Sequence, residues 1–227
     1  MKTDGCIKSD LPVSCFNLIT QEQWETLSVG RKVITYKKGE LLIKRGLTPN
    51  QVIFITEGFV LKYIETDEER AVNVDILREG DFIGIQSILG VTSCNYTFKA
   101  LTNIKACVIN TALLKSLLES NSNLALRLLK RAAEDENALM EFHARLTYKQ
   151  MAGRLALTLL FLTENRLKDI NVFRLLTRKD IADFAGISHI NTTKILKEFE
   201  REEIIKLVDK DIYIVKRELL ERYAQIG

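Results

Sequence analysis

Short apolar runs, set apart by glycines and polar turns, fill the first half of the chain. They read RKVITYK, ELLIKR, QVIFIT, FVLKYIE, AVNVDIL, YTFKAL and IKACVI. Gly39, Gly46 with Pro49, Gly58, TDEE, REGD and LGVTSCN separate them. Strand-length runs at this spacing predict an antiparallel β-roll or barrel-like sandwich. A short helix precedes it. In TQEQWETL, Thr20 stands where an N-cap belongs and Gln23 completes a capping box.

Near residue 110 the period becomes helical. TALLKSLLES reads as a short helix, and a long one follows over about 121 to 146. Ala125, Leu128, Ala132, Leu139, Phe142 and Leu146 recur on it at steps of three and four, interrupted by Asp135. About three heptads of this kind predict a dimer seam, with a helix lying on its own domain as the alternative. YKQMAGRLALTLLFLTEN is a further helix with a broad apolar face. RLKDINVFRLL reads as a loop and short strand. Helices over 178–185 and 189–201 come next, then strand, tight turn, strand and helix in EIIKLVDKDIYIVKRELLERYAQ. The fold expected is α+β: a roll over 1–120, a dimerisation helix over 121–147 and a winged helix-turn-helix over 148–227.

TRKDIADFAGISHINTTKILKEF carries the sharpest pattern. A helix-turn-helix needs a small residue where its helices cross, a turn residue tolerant of positive φ, and apolar anchors that leave one face of the second helix free. Ala182, Gly186, and Ile181, Ala185, Ile187, Ile195, Leu196 and Phe199 meet those needs in that order. Thr192 stands where an aliphatic residue is usual. Ser188 can N-cap the second helix. The DNA-facing set is then Arg178, Ser188, His189, Ile190, Asn191, Thr193, Lys194 and Lys197. Lys194 can donate to guanine or phosphate, Asn191 to a base edge or phosphate, and Ile190 can touch a thymine methyl. Ser188 and Arg178 lie at helix starts suited to phosphate. Residues 204–216 form a wing beside the groove.

Charge adds little. The 227-residue chain has a net charge of +3, and its last 51 residues carry ten Lys and Arg against ten Asp and Glu. DNA binding must therefore rest on local placement of the cations. No nucleophile elbow, phosphate-cradling loop, paired carboxylates or metal-ligand spacing is present, so enzyme activity is not expected. The start, MKTDGCIKSD, is polar, and the apolar run LALTLLFL is far below the roughly 20 residues of a membrane span. A cytoplasmic protein with no membrane partner is expected.

REGDFIG (78–84) and LTRKDIADFAGISHINTTKILKEFEREEII (176–205), in this order around a long helix, resemble the Crp/Fnr family of bacterial transcription regulators. The resemblance spans nearly the whole chain. It implies a homodimer on a palindromic double-stranded operator, an effector in the roll that re-aims the recognition helices, and contact with RNA polymerase if the regulator activates. The corresponding effector positions are Gly84, Ile85, Gln86, Ser87, Asn95 and Tyr96. In cAMP-responsive members a glutamate follows the GDFIG-type stretch, and an Arg-Ser or Arg-Thr pair holds the phosphate. Ile85 stands at the first place, and TSCNYTF has no arginine at the second. The effector expected is therefore not cAMP or cGMP. Where well-known relatives read bases with Arg or Val, Glu and Arg, this chain has His189, Ile190 and Lys194, which points to a different half-site.

Cysteine placement offers an alternative control. Oxygen-sensing members of the family hold an iron–sulfur cluster on three N-terminal cysteines and one from the roll. Cys6, Cys15 and Cys107 match three of those positions, and Ser9 replaces the fourth. A redox-responsive regulator with a cluster or thiol switch is the alternative reading. No cofactor is otherwise expected.

Overall fold

The computed structural model describes residues 15–66, 71–164 and 167–226. The chain divides into two compact units, Met1–Glu65 with Asp75–Glu136 and Thr66–Val74 with Asn137–Gly227.

The roll is built on two four-stranded antiparallel sheets. Strands β1 (Arg31–Tyr36), β3 (Gln51–Glu57), β6 (Phe82–Ile83) and β8 (Ile104–Asn110) form one, in the order β1-β8-β3-β6. Strands β2 (Leu41–Ile43), β4 (Phe59–Glu65), β5 (Ala71–Arg78) and β7 (Thr97–Ala100) form the other, in the order β2-β7-β4-β5. Every expected strand is present, with β6 added inside REGDFIG.

β3 and β8 read as continuous apolar runs because both their faces are covered. Ile53, Ile55, Ile104, Ala106 and Val108 point into the roll and meet Val60, Leu77, Ile83, Phe98 and Ala100. Val52, Phe54, Cys107 and Ile109 point the other way. There they pack on α1 (Gln21–Val29), α2 (Thr111–Ser120) and the start of α3 (Ser122–Thr147), through Leu27, Leu114, Leu117, Leu124 and Leu128. The expected capping box starts α1: Gln23 N donates to Thr20 Oγ1 at 3.2 Å, and Thr20 N to Gln23 Oε1 at 3.0 Å. Gly58 joins β3 to β4 at φ +98°, and a Cβ there would lie 2.5 Å from the Asn103 carbonyl oxygen. Only glycine fits both limits.

In the second unit, α4 (Met151–Phe161) buries Leu155 through Leu160 against α5 (Arg178–Ala185), α6 (His189–Arg201) and α7 (Arg217–Ile226). Strands β9 (Ile205–Val208) and β10 (Asp211–Ile214) pair antiparallel as the wing. The strand expected within RLKDINVFRLL is instead a 3₁₀ turn, Val172–Leu175. Val172 and Phe173 are both buried. Adjacent inward residues suit a tight turn, and a period-two strand would expose one of them.

The expected seam on α3 also needs correction. Leu128 packs into the roll-side helical core, and Phe142 and Leu146 are buried within the second unit. Ala125 and Leu139 are half-buried, and only Ala132 of the six is exposed. The exposed apolar stripe lies one step round the helix at Leu126, Leu129, Ala133 and Met140. Two neighbouring apolar stripes share the same step pattern, so periodicity alone does not tell which one faces the chain's own core.

Candidate nucleic-acid interface and roll interior

Local capping sets the two helices. Thr177 and Asp180 form a reciprocal box at the start of α5: Asp180 N donates to Thr177 Oγ1 at 3.1 Å, and Thr177 N to Asp180 Oδ2 at 2.7 Å. Gly186 ends α5 in the left-handed region at φ 61°, ψ 39°. Ser188 caps α6 by accepting from Asn191 N at 3.2 Å. Thr192 is fully buried, and its hydroxyl donates to the Ser188 carbonyl at 3.0 Å. Its polar atom is thereby satisfied, and its methyl fills the space an aliphatic residue would occupy.

Ile195, Leu196 and Phe199 face inward with Thr192. Ser188, His189, Ile190, Lys194 and Lys197 are exposed, Ile190 to 78%. Ile190 stands at the start of α6 among polar neighbours. Thr193 is half-buried and donates to the His189 carbonyl at 3.0 Å. Asn191 turns back towards α4, its Nδ2 3.1 Å from Met151 Sδ.

Arg178 is half-buried, and its guanidinium reaches the wing turn, 3.3 Å from the Lys210 carbonyl and 3.5 Å from that of Asp209. Burial lowers its pKa from the ordinary value, opposed by Asp211 and Glu200. Asp211, buried at the start of β10, accepts from Arg174 Nε at 2.8 Å and Tyr213 Oη at 3.1 Å. The wing exposes Lys206, Lys210 and Tyr213 beside α6. The sequence reading did not single these out, although alternate positions of a two-stranded wing carry them.

The six roll positions do not converge. Gly84 at φ 81° starts a 3₁₀ turn, Ile85–Leu89. Ile85 packs on the helical side of the first sheet, and Tyr96 packs on the interior cluster. Ser87 Oγ donates back to Gly84 O at 2.7 Å. Gln86 Nε2 lies 3.7 Å from Cys94 Sγ, which donates to Tyr96 O at 3.2 Å. Asn95 is exposed. The interior also holds Lys62, which sequence reading missed; its Nζ lies 4.1 Å from the Tyr96 ring centroid. Burial lowers the Lys62 pKa, against Asp75, Asp135, Cys94 and Asp81.

Of the three cysteines matched to a cluster, Cys6 lies outside the described residues, as does the side chain of Cys15. Cys107 is buried on the helical side of the first sheet, and Cys94 is buried in the other cluster.

Comparison with known proteins accounts for this architecture. The cyclic nucleotide-binding domain family matches residues 33–121, and the Crp-like helix-turn-helix domain family matches residues 153–223. The chain belongs to the Crp/Fnr family of transcription regulators, with a DNA-binding helix-turn-helix domain and an effector-binding-type domain. Among curated relatives, the cAMP-activated global transcriptional regulator CRP of Salmonella typhimurium is 24% identical over 183 residues, 79% of this chain and 87% of the relative. Among solved structures, FixK2 from Bradyrhizobium japonicum superposes with a TM-score of 0.74 at 18% identity, covering 85% of this chain and 96% of that one. A Crp/Fnr family regulator from Eubacterium rectale gives 0.72 at 21% identity, covering 95% and 98%. The c-di-GMP responsive regulator CLP of Xanthomonas campestris gives 0.72 at 16%, covering 86% and 99%. Among the described residues, no helix is long and apolar enough to cross a membrane.

Proposed function

We propose that this regulator acts as a cytoplasmic homodimer on a palindromic operator, reading each half-site with α6 and gripping the flanking backbone with the wing. The outward face of α6 carries the reading. A helix anchored by Thr192, Ile195, Leu196 and Phe199 presents Ser188, His189, Ile190, Lys194 and Lys197 together. That face combines cations with a methyl-reading apolar residue near the helix N-terminus, as major-groove recognition requires. Arg178 supports the face by holding the wing turn, and Asn191 by packing on α4.

Dimerisation uses the stripe Leu126, Leu129, Ala133 and Met140. Leu126, Leu129 and Met140 are each between 63% and 65% exposed, and with Ala133 between them the four residues recur at steps of three, four and seven, as a coiled-coil seam requires. The effector is neither cAMP nor cGMP. Ile85 supplies no ribose acceptor, and Asn95 with Tyr96 supplies no phosphate cation. Where the regulator activates, RNA polymerase is its partner.

Binding of purified protein to a duplex selected from a random-sequence pool tests this reading. Affinity should fall steeply with salt, and half-sites should lie about 10 bp apart centre to centre or at a multiple of that. A flat salt response, or unchanged binding in the double variant His189→Ala/Lys194→Ala, would overturn it.

A further inference from the structure

Strand alternation divides the wing into two faces. Ile205, Leu207, Ile212 and Ile214 share the inward one, each buried or half-buried. Lys206, Val208, Asp211 and Tyr213 share the outward one, where the register sets Tyr213 opposite Lys206 and Asp211 opposite Val208. Lys206, Val208 and Tyr213 are exposed, yet Asp211 is only 7% exposed. Two side chains cover it. Arg174 Nε donates to Asp211 Oδ2 at 2.8 Å, and Tyr213 Oη donates to the same oxygen at 3.1 Å. Uncovered, this carboxylate would set a negative charge on a face that meets a polyanion.

Arg174 does more than mask that charge. It lies in the 3₁₀ turn that leads into α5, and its side chain is 68% exposed. A guanidinium presents five N–H donors in one plane. With Nε held by Asp211 and the side chain still open to solvent, donors remain for a ligand arriving from outside. Arginine matches a phosphate by two parallel hydrogen bonds, and one already fixed loses less rotamer freedom on binding. Arg178, the nearby arginine at the start of α5, is half-buried and donates to the wing-turn carbonyls of Asp209 and Lys210.

We propose that Arg174 is a phosphate ligand of this regulator: Asp211 and Tyr213 fix its guanidinium beside the wing turn, where it takes a backbone phosphate of duplex DNA outside the bases that α6 reads. Asp211 is a positioning residue, and Lys206 lies beside Tyr213 on the same outward face. The proposal rests on the DNA-binding reading above and names a backbone contact of that same interface.

The test measures binding of the full-length protein to the selected duplex across a salt series. Arg174→Gln should weaken binding about tenfold at low salt, as expected for one charge-assisted hydrogen-bonded contact. The slope of log affinity against log salt should fall by about 0.9, with the selected bases unchanged. The double variant Arg174→Gln/Asp211→Asn should keep the reduced slope. If it regains wild-type slope and affinity, Arg174 only masks Asp211 and the proposal fails. A second measurement places the contact. Duplexes carrying one neutral methylphosphonate linkage are scanned through the flanks of each half-site. At one flanking position the linkage should weaken wild type and leave Arg174→Gln almost unaffected, since the two changes remove the same contact. Equal losses in both proteins at every position would also defeat the proposal. Wild type that binds with normal salt dependence while Arg174→Gln keeps its slope removes this proposal alone. Wild type with no salt-dependent binding to any duplex removes the reading of α6 and this proposal with it.

Discussion

Phe142 stacks on Phe161, their ring centroids 4.1 Å apart and their planes 17° from parallel. This pair commits one stripe of α3 to its own chain, while the next stripe, Leu126, Leu129, Ala133 and Met140, is exposed and is the seam proposed above. Two substitutions on one helix should therefore have opposite signatures. Phe142→Ala should cost about 3–5 kcal/mol of unfolding free energy, the usual range for emptying a buried aromatic site. Leu129→Lys should leave the folded chain intact and shift it to monomer, read by light scattering on a sizing column. A dimer that survives Leu129→Lys but dissociates in Phe142→Ala would return the seam to its sequence-expected place.

Lys194 and Ile190 lie on the same exposed face but should fail differently. If Lys194 reaches a base edge, Lys194→Ala costs about 1–3 kcal/mol and relaxes preference at one position. If it reaches phosphate, binding weakens evenly across sequences, and the salt slope falls by about 0.9 for each phosphate no longer neutralised. Ile190→Glu should leave the salt slope almost unchanged and move the preferred base from thymine to cytosine, because a carboxylate accepts from the cytosine amino group. Selection of operators from a random pool with each variant separates these outcomes.

Gly186→Ala should destabilise the second unit by on the order of 1–3 kcal/mol. The backbone sits at φ +61°, and an added Cβ would lie 2.6 Å from Arg154 Nη2. The guanidinium end can move, so most of the cost is in the dihedral itself. Gly186→Asn should cost less than alanine, because asparagine enters this region more readily. Chemical denaturation of the three proteins gives the order.

Burial lowers the pKa of His143 from its ordinary value of 6.5. The folded chain therefore resists a proton that the unfolded chain accepts. Above about pH 6.5 both states hold a neutral imidazole, and the residue contributes no pH dependence. As pH falls below that value the unfolded state gains the proton first, so stability drops until the folded-state pKa is passed. His143→Gln should flatten this part of the stability profile as pH falls below about 6.5. An unchanged slope would place the titrating group elsewhere.

Much of this is legible in the sequence because local rules fix it. The capping box at Thr20, the cap at Ser188, the turn at Gly186 and the anchors of α6 follow from residue type and spacing. The α3 seam does not, because a step of three or four fits two adjacent stripes, and only tertiary packing assigns Phe142 to Phe161. Val172 to Leu175 read as strand because four residues are too few to show a period. Lys62 reads as an ordinary strand cation. Its inward direction depends on the register with Phe98, and the ring it sits over, Tyr96, lies far along the chain. Arg178 reads as a phosphate ligand from its place at a helix start, whereas in the fold its guanidinium is held by the wing turn.

That link has a mechanical meaning. A wing whose tip is tied by Arg178 to the first turn of α5 cannot swing alone, since α5 and α6 are themselves locked through Gly186 and Ile187. On the proposed reading, the distance between α6 and the wing is then a fixed ruler within each subunit. Operators with altered spacing can be accommodated only by bending the duplex, so stiff, A-tract-flanked variants of a good half-site should be discriminated against without any change in the bases touched.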